Sequence, residues 1–114
     1  MNTSNKIEHP MLEAISKYLA SKIPLYKTID PIPMISDSLM DGGLFTKGDG
    51  VLGLSKIDEA LWEVMFFATD SKETRKLLIR EAAEKLGNIS IKFFRPKHGN
   101  RETIYDFNYW MRLI

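Results

Sequence analysis

Residues 71–86 carry the signature of a helix with both ends marked. Asp70 stands where a cap would accept the first free backbone N–H groups, and Glu73 follows at capping-box spacing. Leu77, Leu78, Ala82 and Leu86 recur along one face, and Gly87 is placed to close the end. Such a helix must bury its stripe against another element. The runs on either side predict what that element is. Trp62, Val64, Phe66 and Phe67 precede the helix and Ile89 to Phe94 follow it, with the aromatic and β-branched content of strands. The stretch 57–69 also admits a helix, capped by Ser55 with Ile57, Leu61, Val64, Met65 and Ala68 as its stripe. Its aromatic run favours a hairpin turning at Asp58-Glu59 and a buried strand over 61–67.

Upstream, His9-Pro10 opens a helix over 10–23, because proline at the first helical position loses no needed hydrogen bond. Met11, Leu12, Ile15, Leu19 and Ile23 form its apolar stripe, and Pro24 ends it. Pro24, Pro31 and Pro33 exclude a central strand there. A short helix over 34–41 follows, with Gly42 or Gly43 as its left-handed exit. Residues 44–46 and 51–57 read as strands around a Lys47-Gly48-Asp49-Gly50 turn. Residues 96–101 read as a turn, and 103–114 as extended, aromatic-rich chain. The expected fold is α+β: residues 1–8 a flexible lead, then one domain over 9–114. Its mixed, mostly antiparallel sheet of about five strands is packed by helices 10–23 and 71–86.

At 114 residues, one domain of this size buries roughly two-thirds of its unfolded surface and needs no staples. The chain contains no cysteine, which excludes disulfides, a cysteine nucleophile and thiolate metal sites and fits a cytoplasmic protein. Residues 1–7 lack an apolar signal core, and no apolar run approaches the roughly 20 residues that span a bilayer. A net charge of +1 gives the whole molecule no pull toward nucleic acid or membrane.

His9 and His98 are the only imidazoles and lie far apart, so no metal site is expected. Gly42, Gly43, Gly48, Gly50 and Gly53 match no nucleotide-binding spacing and read as turn residues. Lys92, Arg95, Lys97 and Arg101, with His98 and interleaved Phe93, Phe94 and Tyr105, could make a phosphate-gripping hairpin. If 56–68 and 71–86 were both helical, that order would be winged-helix-like. The simpler reading is a solvated turn, and the balanced charge of helix 71–86 suits groove reading poorly. Tyr105, Phe107, Tyr109, Trp110, Met111 and Arg112 have the composition of an interface core. A terminal edge strand over 105–112 would invite pairing with a protein partner or with itself. The other reading is the two faces of a terminal strand.

The stretch 45–94 resembles the core of the GCN5-related N-acetyltransferase family. There, two antiparallel strands lead to a longer strand, an amphipathic helix and a parallel strand, here 43–47, 51–57, 60–69, 71–86 and 89–95. The resemblance implies acetyl-CoA as cofactor, with its pantetheine along Phe67 and Ala68. It places the pyrophosphate at the 70–75 turn, on Ser71, Thr74 and Arg75, and makes Glu63 the general base. Where the family turn carries spaced glycines, this chain reads Thr69-Asp70-Ser71-Lys72-Glu73-Thr74-Arg75. The alternative for Glu63 is a strand residue facing solvent or a lysine. The functional expectation is an acyltransferase-like domain, weak or non-catalytic, of the kind carried by phages and mobile elements. The alternatives are a non-catalytic interaction or assembly protein, and a winged-helix-like nucleic-acid binder.

Overall fold

The computed structural model describes residues 10–95 and 101–113. Helix α1 (Pro10–Lys22) passes through a 3-10 turn (Pro24–Lys27) to α2 (Ile32–Asp41). Three strands follow, β1 (Leu44–Lys47), β2 (Gly50–Asp58) and β3 (Leu61–Thr69). Helix α3 (Lys72–Leu86) connects β3 to β4 (Ser90–Arg95), and β5 (Arg101–Asp106) runs directly into α4 (Phe107–Leu113). The sheet order is β1-β2-β3-β4-β5. Every neighbouring pair is antiparallel except β3 and β4, which are parallel, with α3 as the crossover such a pair requires. This is the expected α+β globule, and residues 61–69 are strand.

The sheet separates two apolar clusters. On one face α1 and α2 place Leu12, Ile15, Leu19 and Ile35 against Val51, Phe66 and Ala68. On the other, α3 and α4 place Leu78, Ile79, Ala82, Phe107 and Trp110 against Phe45, Leu52, Leu54, Trp62 and Ile91. Because β2 lies between both layers, its residues 50–54 are all buried and read as an apolar run with no alternation. In β3 the register slips between Gly53↔Phe66 and Leu54↔Val64, so Met65 is an extra residue that bulges the strand. Gly53 serves the same spot: a Cβ there would lie 2.1 Å from the Phe66 ring.

Local chemistry explains the helix ends. Pro31 and Pro33 sit at the N-cap and first turn of α2, where no intrahelical N–H is needed, so the helix starts at Ile32, two residues before the expected start. Gly42 closes it at φ 80°. In α3 the cap is Ser71 and not Asp70. The backbone of Ser71 is extended, and its Oγ accepts the N–H of Thr74 at 3.1 Å. The Asp70 carboxylate is engaged by Lys22 of α1. The buried face also differs from the expected stripe. The buried stripe is Thr74, Leu78, Ile79 and Ala82, Leu86 is half-buried, and Leu77 points outward at 46% exposure. Ser71→Ala should therefore cost about 1 kcal/mol. Asp70→Ala should cost less than half of that, since exposed ion pairs contribute little. Chemical denaturation of the two variants decides between the caps.

The C-terminal segment departs most from expectation, because extended chain stops at Asp106. The Asp106 carboxylate accepts the N–H of Tyr109 at 2.7 Å, an N-cap that starts α4. Phe107, Trp110 and Met111 then recur at helical spacing and turn inward, with Phe107 and Trp110 in the core. The aromatic cluster is thus spent largely on the chain's own interior.

Candidate functional site

Strands β3 and β4 pair only at Leu61↔Ser90, Trp62↔Ile91 and Glu63↔Lys92. Both continue beyond that point, to Thr69 and Arg95, so they part and leave a gap beside residues 64–69. The start of α3 follows the far end of this gap. A splayed parallel pair leading to a helix N-terminus is the local arrangement in which an elongated anionic ligand could lie.

Glu63 is half-buried at the last paired position, in one cross-sheet row with Ser55 and Lys92. Ser55 donates to the Asp41 carboxylate of α2 at 3.0 Å, so this row lies on the α1/α2 side. Phe67 is on the opposite side. Its ring meets Trp110 edge-on at 5.5 Å, and Trp110 meets Phe93 of β4 at 4.9 Å. One indole therefore spans from β3 to β4 on the α3/α4 face. Ala68 is buried against α1. Phe67 and Ala68 thus face opposite ways and do not line one channel.

At the start of α3 the polar groups satisfy one another. The Thr74 hydroxyl donates to the Asp49 carboxylate, and Ser71 Oγ donates to Thr74 Oγ1 at 2.9 Å. The Asp49 carbonyl accepts the Asp70 N–H at 2.9 Å and the Tyr18 hydroxyl at 2.7 Å. Burial, reinforced by the Asp70 carboxylate, holds the Tyr18 phenol above its ordinary pKa. Asp49 sits at the tip of the β1–β2 hairpin and ties α1, the hairpin and α3 together. Arg75 is exposed, and its backbone N–H is taken by the Ser71 carbonyl at 3.2 Å.

The Asp49 carboxylate already takes the Thr74 hydroxyl at the start of α3, and a pyrophosphate arriving there would face Asp49, Asp70 and Glu73. Ser71 and Thr74 are turned toward each other and toward Asp49. A shallow groove of about 190 Å³ lies elsewhere, between α1 (Ala14, Ile15, Tyr18) and the hairpin (Thr46, Lys47, Gly50). Its size is below the roughly 300–1,000 Å³ of ordinary ligand pockets.

Of the basic stretch, Lys92 lies mid-strand in β4, and Arg95 and Arg101 stand opposite each other at the hairpin's end. Lys97, His98 and the remainder of the turn lie outside the described residues, as does His9. The winged-helix order required a helix over 56–68, and those residues end β2 and form most of β3. Among the described residues no three His, Asp or Glu side chains are placed to share a metal ion, and no helix is long and apolar enough to cross a membrane. Asp49 and Tyr18 are the site residues that sequence reasoning missed. Asp49 was visible only as part of a turn, and the Gly50↔Thr69 register brings it beside Asp70.

No protein-family model matches this chain, and neither a curated protein nor a solved structure matches it significantly.

Proposed function

We propose that this chain is a non-catalytic domain built on an acyltransferase-like plan, working by binding and not by acyl transfer. The order of β1, β2, β3, α3 and β4, with β3 and β4 parallel and parting, supports the likeness in plan. The observation that carries the loss of chemistry is the closed start of α3. There the Asp49 carboxylate accepts the Thr74 hydroxyl, with Asp70 and Glu73 close by in the chain. Trp110 fills the strand gap on one face, which adds to the same reading. Glu63 is then a sheet residue in register with Lys92, with no proton-transfer role.

A thermal-shift and calorimetric titration with acetyl-CoA and free CoA tests this. A ligand binding only the folded state at a hundredfold excess over its dissociation constant adds about 2.7 kcal/mol of stability. The expected result is no shift in Tm at millimolar ligand. A saturable shift that Arg75→Ala abolishes would return the domain to the acyl-CoA-binding enzymes.

A further inference from the structure

Strand β5 ends the sheet with six residues, and among the described residues no element pairs with its outer side. The opposite edge is better protected. β1 has four residues and ends at Lys47, which is paired to Glu81 of α3 at 2.6 Å. β5 is longer, contains no proline, and keeps an unbroken register with β4 from Ser90↔Asp106 to Arg95↔Arg101. Neither a bulge nor a proline blunts it, so its backbone is a template for another strand. Apolar groups flank this edge on both faces. Ile104 is 57% exposed, and Tyr109 of α4, its ring tilted against that of Tyr105 at 4.9 Å, is 42% exposed.

The charge pattern of β5 favours its own copy as that strand and selects one register. Two identical strands meeting antiparallel about a two-fold axis set one residue opposite itself. Centred on Glu102, the pairing opposes two glutamates. Centred on Ile104, it opposes Glu102 and Asp106. Like charges directly opposite destabilise a ladder. Centred on Thr103, it sets Thr103 against Thr103, Glu102 against Ile104 and Arg101 against Tyr105, and no like charges meet. Opposed threonines and an arginine beside an aromatic are both favourable neighbours. With a net charge of +1, two copies do not repel at long range.

We propose that the chain forms a two-fold homodimer in which β5 pairs antiparallel with β5 of a second copy, centred on Thr103, joining two sheets into one. This stands on β5 alone and is independent of whether acyl-CoA binds. Sedimentation of the full chain over a range of concentrations should show a monomer–dimer equilibrium. Ile104→Glu sets two acids opposite each other twice in the interface and should weaken association about tenfold. Because the chain has no cysteine, Thr103→Cys introduces a single thiol. Mild oxidation should convert it to a covalent dimer far faster than Asp58→Cys at the remote end of β2. A wild-type chain that stays monomeric at every concentration overturns the proposal. So does a dimer indifferent to Ile104→Glu, or cross-linking no faster at position 103 than at position 58.

Discussion

Trp110→Ala should destabilise the protein by about 3–5 kcal/mol, the range for a large aromatic removed from a packed core. Trp110 is 4% exposed. Its indole stands edge-on to Phe67 and Phe93 and stacks on Phe107 at 6.1 Å, so one side chain joins β3, β4 and α4. For a domain whose whole stability is about 5–15 kcal/mol, that loss is a large share. The measurement is the urea midpoint at unchanged slope. A loss under about 0.5 kcal/mol would mean that the last residues do not fold onto the sheet, and that their aromatics are free for a partner.

The second large effect falls on α3. Leu78→Ala should cost about 2–5 kcal/mol, while Leu77→Ala, one residue away, should cost under about 0.5 kcal/mol. Leu78 is fully buried, and its Cδ1 lies 3.2 Å from where a Cβ on Gly50 would be. The leucine, with the methyl groups of Thr69 and Thr74, packs into the space that the glycine leaves at the start of β2. Leu77 is 46% exposed. The contrast between the two variants reads the rotation of the helix directly. Equal costs would restore a stripe that includes Leu77.

Much of the fold was legible in the residues because its signals are local. Proline at the start of α1, Gly42 after α2, Gly87 after α3 and the aromatic run of β3 each act within a few residues. The strand reading of 61–69 prevailed over the helical one through Trp62, Val64, Phe66 and Phe67. Their side chains divide between two faces, which a sheet covered by helices on both sides can bury. The tail misled for the same reason in reverse. Tyr105 to Trp110 has strand composition, but Asp106 caps a helix there, and Phe107 and Trp110 find the core only when that helix turns. Propensity lost to burial.

The candidate site was less legible, because charge at a helix start depends on chain that is distant in sequence. Asp70 and Glu73 were visible as acids beside α3. That Lys22 engages Asp70, and that Asp49 enters the helix start to bond Thr74, follows from α1 and the β1–β2 hairpin folding against the β3–α3 turn. The sequence by itself determined most of the elements, the cap of α3 to within a residue, and the absence of thiol chemistry. Tertiary structure decided which strands pair, where β3 leaves β4, and which carboxylate bonds Thr74 at the start of α3. Those outcomes depend on contacts between residues tens of positions apart, and local composition carries no record of register.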